Sequence, residues 1–99
     1  MSQAKEDLRK IIGPDSLLED AFKILERLID LDKTERSNWY DEYQIIDLED
    51  PEEKELLIRL CNGDLVNGPG CVGNQYIYNI SKKGKHLYET LAKEIILSL

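Results

Sequence analysis

DPEEKELLIRL (residues 50–60), CNGDLVNGPGCVGNQYIYNIS (61–81) and KKGKHLYETL (82–91) follow one another without a break, and each carries the local chemistry of a different element. In the first, Asp50 is placed to cap a helix and Pro51 suits the first helical position. Glu52 and Glu53 favour the positive end of the helix dipole. Leu56, Leu57, Leu60 and Cys61 form its apolar face, and Asn62-Gly63 closes it. In the second, Leu65 and Val66 begin a strand, and Asn67-Gly68-Pro69-Gly70 is dense in turn formers. From Gln75 to Ile80 the pattern alternates, with Tyr76, Tyr78 and Ile80 on one side. In the third, Ser81 is placed to cap a long helix with Leu87, Tyr88, Leu91, Ala92, Ile95, Ile96 and Leu99 on one side. The order is helix, hairpin with a glycine-rich tip, closing helix.

Upstream the pattern is helical. Ala4, Leu8, Ile11 and Ile12 recur at helical spacing over residues 3–12, and Gly13-Pro14 ends that helix. Ser16 and Glu19 have the spacing of a capping box, ahead of a helix from about Leu17 to Leu31. Its apolar stripe holds Leu18, Ala21, Phe22, Leu25, Leu28 and Ile29. Leu17, Ile24 and Leu31 widen it enough to pack on two sides. Trp39, Tyr40, Tyr43 and Ile46 then predict one face of a further helix, with Thr34 or Ser37 as its cap.

Ninety-nine residues make one domain with a single modest core. No apolar run approaches the length of a membrane span, and the polar start MSQAKEDLRK lacks the apolar region of a signal peptide. A cytoplasmic location is therefore expected. In that setting Cys61 and Cys71 are expected to be reduced thiols rather than a disulfide. One histidine and two scattered cysteines do not make a zinc site. The net charge of −7 is uneven. Asp30–Glu55 holds 11 acids against Lys33, Arg36 and Lys54, whereas Leu65–Tyr88 holds no acid and carries Lys82, Lys83, Lys85 and His86. The molecule should be electrically polarised.

The segments EKELLIRLCNGDLV (53–66) and YIYNISKKGKHLYETL (76–91) resemble the winged helix-turn-helix regulators of bacteria, archaea and phages. In many of these a small hydroxyl residue caps the helix after the wing, and a glycine follows a basic pair. Ser81, Lys82, Lys83, Gly84 and Leu87 match that pattern. The resemblance implies an α+β winged helix-turn-helix with a long C-terminal helix: a domain over 15–99 preceded by a helical extension over 1–14. It also implies that the helix from Pro51 enters the major groove of duplex DNA. Lys54, Arg59, Lys82, Lys83 and Lys85 would then touch phosphates.

The charges of that helix point elsewhere. Asp47, Glu49, Asp50, Glu52, Glu53 and Glu55 surround its start, which is the end that approaches DNA in this motif. Phosphate neutralisation supplies most non-specific affinity, so this surface begins with a deficit. The acids read either as a solvated loop and cap, or as a contact surface for a basic protein partner, with Trp39, Asp41, Glu42, Asp47, Glu49, Glu52 and Glu53 as the candidate face. A metal is disfavoured because the spacing lacks the glycine and spaced oxygens of a calcium loop. Trp39, Tyr40 and Tyr43 read as core on their apolar side; alternatively, Trp39 or Tyr40 is an exposed anchor of an interface. The lysines at 82, 83 and 85 read either as phosphate contacts or as a solvated helix start. The C-terminal stripe reads as packing on the first helix, or as a homodimer seam of Leu8, Ile12, Tyr88, Leu91, Ile95 and Leu99. His86 has no sequence neighbour that marks an orienting partner, and the glycine-rich tip lacks the Gly-Lys-Ser/Thr ending of a phosphate loop. The expectation is a non-enzymatic regulatory protein without cofactor that binds a basic protein, in the manner of a phage-type inhibitor or adaptor. A DNA-binding transcriptional regulator is the alternative.

Overall fold

Among the described residues five α-helices pack with a small antiparallel sheet whose hairpin is largely exposed, an α+β arrangement. The computed structural model describes residues 3–97, with side chains described through residue 94. In chain order the elements are α1 (Gln3–Ile12), a 3-10 turn (Asp15–Leu17), α2 (Leu18–Thr34), β1 (Tyr40–Asp41), α3 (Glu42–Ile45), α4 (Pro51–Asn62), β2 (Val66–Val72), β3 (Gln75–Ile80) and α5 (Lys82–Leu97). The sheet order is β1-β3-β2. Among the described residues no helix is long and apolar enough to cross a membrane.

The caps expected around α4 and α5 are made. Asp50 Oδ1 accepts hydrogen bonds from the Glu52 and Glu53 amides at 2.9 and 3.4 Å. Ser81 Oγ accepts from the Gly84 amide at 2.9 Å. Gly13 ends α1 with a φ of 95°, its amide donating to the Arg9 carbonyl at 2.7 Å. The capping box at Ser16 and Glu19 is not formed. Residues 15–17 wind into the 3-10 turn, so Leu17 takes the cap position without a side-chain bond. A capping-box bond occurs instead at α3, where Gln44 Oε1 accepts from the Asp41 amide at 3.0 Å.

Two elements differ from the local pattern. Trp39, Tyr40, Tyr43 and Ile46 do not share a helix face. Tyr40 and Asp41 pair as a strand with Tyr78 and Ile77, burying Tyr40 and leaving Trp39 and Tyr43 exposed. Ring burial through sheet pairing outweighs the helical spacing there. The glycine-rich tip is also shorter than the composition of residues 67–74 suggests. Strand β2 continues to Val72 with a bulge between Asn67 and Gly70, and the chain reverses at Gly73-Asn74. Gly68 makes that bulge workable. Its φ is 138°, and a Cβ there would lie 2.7 Å from the Tyr78 ring and 2.8 Å from the Ile77 carbonyl oxygen.

One apolar core joins all the layers. Ala4, Leu8 and Ile12 of α1 enter the same cluster as Leu25 and Leu28 of α2, Leu57 and Leu60 of α4, Tyr78 of β3 and Leu87 and Leu91 of α5. The helix expected as an extension over 1–14 is thus packed into the core of the domain over 15–99. Arg59 fastens it further, donating to the Ile12 carbonyl.

Candidate functional site

The acidic segment is only partly a free surface. Glu53 is a clasp, its side chain 19% exposed. One of its oxygens accepts from Arg27 Nη1 at 2.8 Å and the other from the Asp47 amide at 2.7 Å. The same Arg27 nitrogen donates to the Ile45 carbonyl, tying α2 to both helices of the α3–α4 pair. Asp50 is committed to its cap. Asp47 Oδ1 accepts from the Glu49 amide at 3.0 Å. Glu42 accepts from the Tyr78 hydroxyl at 3.0 Å, and Asp41 begins α3 in the half-buried capping turn. Of the seven residues expected on a partner face, Asp47, Glu49 and Glu52 are exposed beside this helix start, Asp47 with one oxygen engaged by the Glu49 amide. Trp39, also exposed, stands at the base of the hairpin instead, in a groove with Lys82 and Lys85.

Large apolar side chains are exposed on the elements that surround those acids. They are Tyr43 of α3, Leu48 of the α3–α4 loop, Ile58 of α4, and Val72 and Tyr76 near the hairpin turn, each between 45 and 61% exposed. Tyr40 lies opposite Tyr78 and Asp41 opposite Ile77, so the chain leaving β1 for α3 heads toward Tyr76. Glu42 of α3, Cys61 of α4 and Tyr76 of β3 all lie close enough to the Tyr78 hydroxyl to act on its ionisation. Of the three, Glu42 bonds the Tyr78 hydroxyl directly; α3 packs on β1 and β3, and α4 packs on β2. Ile58 was legible as an outward residue, since it lies off the stripe of Leu56, Leu57 and Leu60. The exposure of Tyr43, Leu48, Val72 and Tyr76 carried no local signal.

The basic residues are dispersed. Arg59 is engaged twice, by Glu55 at 3.1 Å and by the Ile12 carbonyl, which removes it from the expected phosphate contacts. Lys54 is exposed on α4. The α5 lysines diverge: Lys82 and Lys85 border the groove that holds Trp39, while Lys83 and His86 border one of about 490 Å³ against Lys10 of α1. Ser81 Oγ donates to the Asp64 carbonyl at 2.7 Å, so α5 starts beside the C-terminal end of α4. The 12 residues of α4 span about 18 Å, which separates this lysine cluster from the acids at Asp50–Glu53.

The expected dimer seam is used within the chain. Leu8, Ile12 and Leu91 are buried in the core. The Tyr88 ring stacks on Phe22 with centroids 4.8 Å apart, and its hydroxyl donates to Glu26 at 3.1 Å. The side chains of Ile95 and Leu99 lie outside the described residues. Packed on both α1 and α2, this helix exposes a polar stripe and, among the described side chains, no large apolar one.

Both cysteines are free thiols, Cys71 exposed and Cys61 half-buried. Among the described residues no group of three or more His, Cys, Asp and Glu side chains could hold a metal ion. Burial pushes the Cys61 thiol up to about 11, so about a thousandth of it is thiolate at pH 8. A disulfide reagent at that pH is expected to label Cys71 rapidly and Cys61 only on unfolding. The Tyr40, Tyr78 and Tyr88 phenols are raised too, first by burial and then, for Tyr78 and Tyr88, by their carboxylate partners Glu42 and Glu26. The sign follows from linkage. Above pH 9.0 for the thiol and 10.0 for the phenols, the unfolded chain releases protons that the folded chain retains. The stability these groups contribute is thus complete below pH 9.0 and is lost as pH rises. Urea midpoints are expected to stay flat from pH 7 to 9 and to fall beyond it.

Comparison with family models, with curated proteins and with solved structures yields no match for this chain.

Proposed function

We propose that the chain is a non-catalytic, cytoplasmic regulatory binding protein on a winged-helix scaffold, and that it engages a protein partner through the face around α3, α4 and the hairpin. The scaffold reading is supported by the order of elements. Strand β1 leads into the helix pair α3–α4, the hairpin β2–β3 follows and pairs with β1, and α5 closes the domain. In that frame α4 is the helix that would read DNA and the hairpin is the wing. With four residues, α3 is a short first helix for such a pair.

The observation that carries the functional reading is the composition of this face. Tyr43, Leu48, Ile58 and Tyr76 are exposed on α3, the α3–α4 loop, α4 and β3, Glu49, Glu52 and Glu55 are exposed on the same loop and helix, and Lys54 is an exposed cation of α4. Aromatic and aliphatic side chains in the middle of a patch, with charge at its rim, describe a protein interface. The carboxylates favour a partner with a basic surface, such as a protein that itself handles nucleic acid. Duplex DNA is the weaker reading, because Arg59 is engaged and Lys82, Lys83 and Lys85 stand at the far end of α4.

A photo-crosslinking residue at position 58, introduced in the source cells, is expected to trap a protein with a basic surface. Glu49→Lys with Glu52→Lys should remove that adduct, whereas Lys83→Glu should not. Micromolar binding of random duplex with a steep inverse salt dependence, weakened by Lys54→Glu, would overturn the reading.

A further inference from the structure

At the opposite end of the hairpin, the fold brings together residues that lie far apart in the sequence. Trp39, Lys82 and Lys85 line one groove of about 370 Å³ together with Asn38, Asn79 and one carboxylate, Asp32. In sequence the lysines have no aromatic neighbour within the basic cluster. In the fold they have the protein's single tryptophan. We infer that this groove binds single-stranded nucleic acid, one base stacking on the Trp39 indole and the adjoining phosphates resting on Lys82 and Lys85. The inference goes beyond the protein-binding face and does not depend on it.

Three observations support the assignment. First, Trp39 is 43% exposed although its backbone is tightly held. Ser37 Oγ donates to the Trp39 carbonyl at 2.9 Å, and the Tyr40 hydroxyl donates to the Ser37 carbonyl at 2.8 Å. Asn79 Nδ2 donates to the Asn38 carbonyl at 2.9 Å, and Asn79 Oδ1 accepts from Asn67 Nδ2 at 2.8 Å. A large ring on a fixed backbone loses little freedom when a base stacks on it, which is the condition for a preorganised platform. Second, Lys82 and Lys85 are three residues apart on α5 and share a side of the helix. Among the described residues neither forms an ion pair. Third, the groove is open along the hairpin base, where a flexible strand can follow it.

The chemistry predicts weak, salt-sensitive binding. Two phosphates held by a single-strand site give a log–log salt slope of about −1.4, and the overall negative charge keeps the dissociation constant on the order of 10⁻⁵ M at low salt. Trp39 reports the event itself, since its emission is the only indole emission of the chain. Titration with oligo(dT) and with oligo(U) at low salt is expected to quench that emission to saturation. The tighter of the two identifies the sugar the site accepts. Lys82→Glu with Lys85→Glu should abolish quenching, whereas Lys83→Glu, which faces the other groove, should leave most of it. In anisotropy with a labelled oligonucleotide, Trp39→Leu should weaken binding about tenfold, the loss expected for one stacked base. Absence of quenching at low salt would refute the inference. So would equal quenching by a duplex of the same length, or a loss from Lys83→Glu as large as that from the Lys82 and Lys85 pair.

Discussion

Gly84→Ala lowers the unfolding free energy by about 3 kcal/mol, at the upper end of what overpacking a well-filled site costs. Inside an exposed helix the same change would be stabilising by about 1 kcal/mol, because alanine is the better helix former. The sign is therefore diagnostic. A Cβ at Gly84 would run into the carbonyl oxygen of Leu65, and would also lie 3.1 Å from the Ile80 side chain. The carbonyl cannot swing aside freely, since it accepts the Ser81 amide at 3.1 Å, one of the bonds that seats α5 on the loop after α4. Backbone meets backbone at this point, so relaxation must move the start of a helix rather than a side chain. Urea denaturation of wild type and variant measures the difference. A variant as stable as the wild type would show that α5 does not cross Leu65 so closely. Gly84→Val, with two further methyl groups and a β-branched side chain, is expected to abolish folding.

Ile12→Ala is expected to cost about 3 kcal/mol, within the 2–5 kcal/mol range for truncating a buried isoleucine. Ile12 is fully buried in the monomer, against α4 and the rest of the core. Two consequences distinguish this from a helical extension or a dimer seam. The variant should unfold in one transition with the same denaturant slope as the wild type, because α1 and the other helices share one core. Its midpoint should also be independent of protein concentration. A seam residue would make the midpoint rise with concentration, and an independent extension would leave the main transition unmoved.

Much of the fold was legible because its determinants are local. Asp50-Pro51-Glu52-Glu53 starts α4 where the cap chemistry says it should, and Ser81 and Gly13 act as their residue types predict. The apolar stripes of α1, α2 and α4 face the core as their spacing requires. Tyr40 is core, as expected, but in a strand, because its helical spacing is a signal only within its own segment. Its burial depends instead on pairing with Tyr78, 38 positions away. The segment Asn67–Gly70 has the composition of a turn and the role of a bulged strand. Its partner β3 supplies the hydrogen bonds, and the Tyr78 ring occupies the space that a side chain at Gly68 would need.

The candidate sites divide along the same line. The acidic cluster was plain in the sequence, as was the outward position of Ile58. Nothing local distinguishes Glu53, clasped by Arg27, from Glu52, which is exposed, because the bond that separates them spans 26 residues. Likewise Arg59 reads as a free cation until the carbonyl of Ile12, 47 residues earlier, is placed beneath it.

By itself, the sequence determined α1, α2, α4 and α5, the caps at Gly13, Asp50 and Ser81, the presence of the hairpin and the uneven charge. Each of these follows from chemistry between residues about four positions apart, or from cross-strand alternation. Only the tertiary structure decided which charges are free, that α1 belongs to the core, and that Trp39 meets Lys82 and Lys85. Those outcomes depend on contacts between segments whose separation along the chain carries no local signal, and they are fixed only when burial of a shared core forces the segments together.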